Sequence, residues 1–314
     1  MSQNDISISI NDIYEALTRC NIKVNVIEQC RQNDRIAVYR IDNRYILRIS
    51  ESIPDELKKL ERVQSIILTP KIHSNGTLIS SGKEYDYLIA DYMEGSDLYH
   101  VLKELTEEQS HLLGKDIAHF LMKLHSITDA SYDIGHYIPT VPRYKGSWKE
   151  GHLEYIKTLR DSLSTAHISG KIITQAFEYI DKNIDCLEYQ TGAKLLHNDF
   201  HPKNIIVHEG KLAGVIDWEC SQYGEDDFEL AHLFHWCIYP PEQGHQFDLL
   251  LKSIIKTLGI AGEVPQLAKR LTIYQLEHEL NQLVWNGRQQ EEERMVRIKG
   301  WLNGQLEARL NMFV

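Results

Sequence analysis

Asp199, Asn204 and Asp217, with His197 and His201 beside them, are the residues of this chain whose types and spacing could do chemistry. Asp199 and Asn204 fall in the stretch Lys194-Leu-Leu-His-Asn-Asp-Phe-His-Pro-Lys-Asn204, with apolar pairs before His197 and after Asn204. Those pairs read as short buried strands, so the polar residues between them occupy a loop held at both ends by the core. A second strand, Leu212 to Ile216, follows the tight turn Glu209-Gly-Lys211 and makes an antiparallel hairpin. With the turn centred between Gly210 and Lys211, Asn204 and Asp217 would face each other across the open end, with Cβ atoms roughly 5 Å apart. An uncharged oxygen donor beside a carboxylate suits Mg²⁺, a hard cation that takes few protein ligands and leaves room for phosphate oxygens. Asp199, on the same loop but apart from that pair, is left to orient an attacking hydroxyl or accept its proton. The chemistry such a set suits is phosphoryl transfer.

The order His197-x-Asp199-x-x-x-x-Asn204, then a hairpin, then Ile216-Asp217-Trp-Glu219, resembles the signature of the aminoglycoside phosphotransferase family, small-molecule kinases similar in fold to protein kinases. The resemblance implies an α+β, bilobal protein-kinase-like fold with a small antiparallel β N-lobe and a mostly helical C-lobe. It divides the chain into a nucleotide-binding lobe over 1–92, a hinge near 90–95, and a catalytic and acceptor-binding lobe over 93–314. It makes Asp199 the catalytic aspartate, Asn204 and Asp217 the metal holders, and His197 a residue that braces the loop. His201 and Pro202 stand where a protein kinase would carry Lys and Pro, and His201 is the second catalytic candidate, expected to hydrogen-bond the transferring phosphoryl group. The cofactors implied are Mg²⁺ and a nucleoside triphosphate, ATP or GTP, as phosphate donor.

The rest of the chain supplies the elements that must position these groups. Ile10 to Cys20 has helical spacing, with Ser9 or Asn11 as cap. Val24–Cys30, Arg35–Ile41 and Tyr45–Ile49 read as a three-stranded antiparallel meander. In the family the first turn of the meander covers the nucleotide phosphates; here it is Gln32-Asn-Asp34, without glycine, so backbone N–H groups or Asn33 would have to serve. Arg48 takes the place of the lysine that contacts the α- and β-phosphates, and it can fork onto two oxygens. The helix after Pro54 offers Glu56 and Glu61 as partners for Arg48, and Glu56, nearer the helix start, is the expected one. Two further strands lie around Leu78-Ile79 and from Tyr85 to Tyr92. The second leads into the hinge, where backbone groups of Asp91 and Met93 would read the base, and Gly95 would permit the chain's sharp departure.

Helical patterns then cover Asp97–Leu105 and Glu107–His125, the latter with Leu112, Ile117, Phe120, Leu121 and Leu124 as an apolar stripe. Ser126 to Trp148, with Gly135, Pro139, Pro142 and Gly146, reads as a loop-rich excursion, and helices follow through His152–Ser162 and Gly170–Cys186. Gly224-Glu-Asp-Asp-Phe-Glu229-Leu-Ala resembles the family's Gly-Asp-Pro followed by Asp-Leu-Ala, with the proline replaced and Glu229 where aspartate is usual; that acid would brace the catalytic loop. Pro240-Pro241 breaks the chain, and a helical tail carries Leu267, Leu271, Tyr274, Leu280 and Leu283 on a buried face. Glu277 and Glu279 would either line a pocket for a polyamine or form a solvated face.

A formal net charge of −11 disfavours nucleic acid as partner and would suit a cationic small acceptor. Apolar residues at 42% and charged residues at 25% fit a folded globular chain rather than a disordered one. Cys20, Cys30, Cys186, Cys220 and Cys237 form no C-x-x-C pair and read as reduced thiols, which together with the absence of a secretory pattern at Met1–Asp5 and of any membrane-spanning run points to the cytoplasm. The acceptor stays open among aminoglycosides, macrolides, choline, homoserine and sugars, in a resistance or a housekeeping role. Two other classes compete: a nucleotide-binding protein without catalysis, and a hydrolase holding zinc or manganese on His197, Asp199 and His201.

Overall fold

The computed structural model describes residues 6, 8–33, 35–51, 53–134, 146–239 and 244–313. The expectations for Met1–Asp5, for most of the excursion before Trp148 and for the break at Pro240-Pro241 lie outside them, as does Asp34 in the first turn of the meander. The chain divides into two compact units: residues 1–96 with 205–209 and 213–219, and residues 97–204 with 210–212 and 220–314. The division falls next to the expected hinge, and the first unit also takes in most of the hairpin that follows the loop carrying Asp199.

The first unit begins with α1 (Ile10–Arg19), whose Ser9 cap and Asp12 form a reciprocal capping box. Next come β1 (Ile27–Gln32), β2 (Ile36–Ile41), β3 (Tyr45–Ser50), α2 (Pro54–Val63), β4 (Ile72–Ser80) and β5 (Lys83–Asp91). The five strands form an antiparallel sheet in the order β1-β2-β3-β5-β4. Asp42 and Asn43, both at positive φ (51° and 52°), make the tight turn between β2 and β3. Ile13 and Leu17 of α1 pack on the sheet face that carries Ala37, Tyr39, Leu47, Ile49, Tyr85 and Tyr87. Side chains alternate along a strand, so with Leu47 and Ile49 committed to that core, Arg48 is presented on the opposite face.

The chain continues through β6 (Ser96–Asp97), α3 (Leu98–Val101), α4 (Glu107–His125), α5 (Trp148–Thr165), α6 (Lys171–Asn183), β7 (Lys194–Leu196), β8 (Ile205–His208), β9 (Lys211–Val215) and β10 (Gln222–Gly224). The helical tail is α7 (Glu229–Ile238), α8 (Gly244–Leu258), α9 (Ile260–Glu263), α10 (Leu267–Asn286), α11 (Glu291–Leu302) and α12 (Gln305–Asn311). In α4 it is Leu113 that is buried, while Leu112 is exposed, because Leu113 lies one turn before Ile117 and so shares its face. Gly114 lets α8 approach closely: a Cβ there would stand 2.6 Å from Ser253 Cβ and 2.7 Å from Leu250 O.

α10 departs from the one-sided helix expected. It packs against α5, α6, α7, α11 and α12 and is buried on every side, carrying Arg270, Gln275, Glu277 and Glu279 inward with it. Arg270 makes this possible through a two-pronged pair with Asp227 (Nε to Oδ2 2.6 Å, Nη2 to Oδ1 2.8 Å), while its Nη1 donates to the carbonyls of Cys186 and Tyr189. Cys20, Cys30, Cys186 and Cys220 are free thiols, and among the described residues no helix is long and apolar enough to cross a membrane.

Candidate active site

The loop that carries Asp199 is anchored from three sides within the second unit. β7 pairs antiparallel with β10, so the chain enters the loop from a fixed strand. Glu229, fully buried, accepts the backbone N–H of His197 at Oε2 (2.7 Å) and of Asn198 at Oε1 (2.9 Å). Burial pushes the Glu229 carboxyl up, but His125, His197 and these donors outweigh it and hold it below its ordinary range. Phe200 is buried against Phe120 of α4, ring centroids 5.9 Å apart. Asn198 sits at φ 61°, a left-handed conformation that Asn tolerates and that turns the next residue out of the strand direction. Asp199 N–H then donates to His197 Nδ1 at 3.3 Å, so His197, with no exposed surface, is a brace for the loop.

Two other predicted site residues, Asn204 and His201, meet Asp199. Asn204 Nδ2 donates to the Asp199 carbonyl (2.9 Å) and to its Oδ2 (3.1 Å). Lys203 N–H donates to His201 Nδ1 at 3.2 Å, which leaves the imidazole proton on Nε2, 3.5 Å from Asp199 Oδ2. Burial raises the Asp199 carboxyl, yet the bond and charge of His201, with His232 and His197 behind it, bring it well below the usual carboxylate range. A group held so firmly ionised is a weak base and a strong acceptor, suited to orienting a hydroxyl. Among the described residues, His197, Asp199 and His201 do not gather their ligand atoms into one metal cluster, which counts against the hydrolase reading.

In the first unit Arg48 Nη1 donates to both carboxylate oxygens of Glu56 at 2.7 Å, the second strand face and the first turn of α2 having brought them together. Arg48 Nη2 also bonds Glu219, and Asp217 Oδ1 lies 3.8 Å from Nη1. Three carboxylates thus surround one guanidinium. Glu56 is pushed up to about 7, first by burial and then by Asp217 and Glu219, with Arg48 opposing. Asp217 adopts φ 66°, a strained conformation for a residue with a Cβ, costing on the order of 1–3 kcal/mol. Trp218 behind it is buried and ties its Nε1 to Val215 O at 3.0 Å. Of the two predicted metal holders, Asp217 belongs to the first unit and Asn204 to the second.

The hairpin that joins them differs from the sequence reading. Glu209 (φ 49°) and Gly210 (φ 74°) both take left-handed angles, so the turn is centred one residue earlier than expected. Neither Asn204 nor Asp217 lies within its strands, which end at Ile205 and Val215.

At the hinge, Asp91 N–H is committed to Lys71 O (2.9 Å) and Tyr92 N–H to Arg44 O (2.8 Å), so the carbonyl is the backbone group Asp91 can offer a base. Met93 lies against Gly214: a Cβ on that glycine would stand 2.2 Å from Met93 Cε. Gly95 has φ 130° and no room for a Cβ, which would fall 2.4 Å from Val207 O. In the glycine-free first turn, Asn33 Oδ1 accepts the N–H groups of Arg35 (2.9 Å) and Ile36 (2.8 Å), so the amide carbonyl shapes the turn itself.

Asp199 and His201 open onto a cavity of about 390 Å³ formed wholly by second-unit residues, among them His232, His235, Trp236 and Tyr239. Trp236 lies alongside the His201 ring (centroids 5.5 Å, 31° between planes). Burial lowers His232 and His278 and brings His235 down to about 3, so these imidazoles are neutral. Glu277 lines the cavity and Glu279 stands behind it, but neither forms a solvated face and neither is uncommitted: Glu277 takes His152 Nδ1 on both oxygens (2.9 and 2.8 Å), and Glu279 Oε2 takes Arg294 Nη1 (2.9 Å).

Sequence reasoning passed over Glu219, His232, His235, Arg294 and Arg297. His232 and His235, and likewise Arg294 and Arg297, are three apart on a helix and therefore share a face, a signal that could have marked them.

Comparison with known proteins bears on the family and the fold. A family model described as the phosphotransferase enzyme family matches residues 28–252. A hygromycin-B 4-O-kinase from Escherichia coli is 35% identical over 52 residues, a stretch that spans 17% of this chain and 14% of that protein. Among solved structures, ADP-bound aminoglycoside phosphotransferase APH(2'')-Ib is 20% identical with a TM-score of 0.63, covering 95% of this chain and 99% of that one. A thermostable mutant of APH(4)-Ia with ADP and hygromycin B is 16% identical with a TM-score of 0.66, covering 93% and 97%.

Proposed function

Since the chain belongs to the phosphotransferase enzyme family, we propose that it transfers the γ-phosphate of ATP or GTP, with Mg²⁺, to a hydroxyl of a small molecule seated in the cavity beside Asp199. The observation that carries this reading is the state of Asp199: ionised, fixed by Asn204 and His201, and placed at a cavity large enough for a small acceptor.

The residues fit the metal. Asp217, Glu219 and Glu56 leave an excess of negative charge around Arg48, and Asn204, with its nitrogen turned to Asp199, has its Oδ1 as the remaining ligand atom. Asp217 and Asn204, by their place in the motif, would hold Mg²⁺, which when bound neutralises and orients the phosphate oxygens. Arg48, steered by the buried Glu56, is offered to the α- and β-phosphates, and the more exposed Glu219 is the partner a phosphate would displace. The carbonyl of Asp91 and the backbone of Met93 take the base. Asp199 accepts the hydrogen bond of the acceptor hydroxyl and aligns its lone pair on the phosphorus, and His201, whose proton faces Asp199, positions that carboxylate. Little covalent chemistry falls to the protein; alignment and charge neutralisation lower the barrier.

The test is nucleotide consumption by the purified chain with Mg²⁺, using ATP and GTP separately, against aminoglycosides, macrolides, choline, homoserine and sugars. Stimulation by an acceptor that Asp199→Asn abolishes, with nucleotide binding retained, is the expected result. Equal turnover in Asp199→Asn would refute the assignment, and nucleotide binding with no turnover for any acceptor would favour a non-catalytic protein.

A further inference from the structure

The acceptor cavity holds its charges in an order that selects a ligand. Beyond Asp199 and His201 the wall carries His232, His278 (ring centroids 6.0 Å from His232), His235 (5.2 Å from His278) and Arg297, whose Nη1 lies 3.2 Å from His235 Nε2. Arg297 can only donate, so His235 Nε2 carries the lone pair and Nδ1 the proton, with Glu279 Oε1 3.5 Å away and not hydrogen-bonded to it.

Among the described residues that line the cavity, the carboxylate other than Asp199 is Glu277, and both its oxygens are taken by His152 Nδ1. Glu279, behind the wall, bonds Arg294 through Oε2, and its Oε1 has no hydrogen-bond partner. Arg297 differs. Its guanidinium carbon lies over the Tyr239 ring, 4.8 Å from the centroid, and its acidic partner, Glu293, is a half-exposed residue one turn earlier on the same helix. An ion pair of that kind is weak and readily exchanged for another anion. A second cation, Lys203, stands over the rings of Tyr99 and Trp236 (5.1 and 5.7 Å). A polyamine would meet Arg294 and Arg297 on the described wall and, besides Asp199, a carboxylate already paired, whereas an oxyanion would meet a planar guanidinium fork.

Resting on the phosphoryl-transfer reading above, we propose that the acceptor carries an oxyanion, a carboxylate or a phosphate, that docks on Arg297 while its hydroxyl lies at Asp199, and that polycationic acceptors are poor substrates. His232, His235 and His278, kept neutral, add hydrogen-bonding surface between the two ends without competing charge.

The test offers the full chain, with MgATP, one scaffold in several charge states: glucose, glucosamine, glucuronate and glucose 1-phosphate, with kanamycin as the polycation. An anionic member is expected to have a KM at least tenfold below the others, and glucuronate against glucose 1-phosphate separates carboxylate from phosphate. Arg297→Gln is expected to raise that KM tenfold or more while leaving the KM for ATP unchanged, and Arg297→Lys to recover part of the loss. Preference for kanamycin or glucosamine, or an unchanged acceptor KM in Arg297→Gln, overturns the proposal. Should none of these scaffolds be phosphorylated, inorganic phosphate is titrated into the Mg·ADP-loaded protein. A rise in Tm for the wild type that Arg297→Gln lacks supports the oxyanion site, and equal shifts refute it. The phosphoryl-transfer reading fails by a different sign, turnover that Asp199→Asn does not change.

Discussion

Glu229 spans the backbone of His197 and Asn198, one carboxylate oxygen to each N–H. The longer side chain therefore does the bracing expected of an acid at this place. Glu229→Gln turns an amide group toward one of those N–H donors and leaves it unpaired inside the protein, at a cost of about 1–3 kcal/mol. A loop shifted by about 1 Å loses on the order of 10²-fold in turnover. Steady-state kinetics should show kcat falling by that order in Glu229→Gln with the KM for nucleotide little changed, and Glu229→Asp, which keeps both acceptors, should lose less. A kcat within a few-fold of wild type in Glu229→Gln would contradict this role.

Glu56 gives the fold a pH dependence of known sign. Its carboxyl rises from 4.5 to about 7 on folding, so between those values the folded chain binds more protons than the unfolded one. This contribution to stability is full below 4.5, falls as pH rises toward 7 and is flat above. Asp199 and Glu229, held low, act in the opposite sense on acidification, so the comparison must be with Glu56→Gln rather than with pH alone. Urea midpoints measured from pH 5 to 8 should decline more in the wild type than in Glu56→Gln; parallel curves would rule the effect out.

The Arg270 and Asp227 pair is fully buried, and removing one partner leaves an uncompensated charge. Arg270→Met should cost about 3–5 kcal/mol of stability by denaturant unfolding. Adding Asp227→Leu should recover part of that loss, since the isolated carboxylate goes with it. Strictly additive losses would show that the two do not act as a unit.

Gly95 cannot accept a side chain, both for its φ of 130° and for the Val207 carbonyl 2.4 Å from where a Cβ would stand. Gly95→Ala should lower stability by about 1–3 kcal/mol. Because the strain falls two residues after Met93, the KM for nucleotide should rise as well. Thermal unfolding and nucleotide titration check the two halves, and an unaltered Tm would sink the first.

Local sequence alone determined a good deal here. Alternation placed Arg48 on the face opposite Leu47 and Ile49, the helix starting at Pro54 put Glu56 in its first turn, and the spacing from His197 to Asn204 set the loop of Asp199 between two short strands. These are decided over a few residues, by backbone sterics and the periods of helix and strand. The centre of the Glu209-Gly210 turn was missed by one residue because three turn-forming residues in a row allow more than one choice. That Leu113 rather than Leu112 faces inward was legible in the period of α4 itself, since Leu113 stands four residues before Ile117. The burial of α10 on all sides was not legible, because its acids and arginine look solvated until Asp227, His152 and Arg294, distant in sequence, arrive to pair with them. For the same reason the charge of the cavity beside Asp199 belongs to the tertiary structure. Residues from Tyr155 to Arg297 converge on it, and whether a carboxylate there is free or spent is fixed only by the partner that packing brings within hydrogen-bond reach.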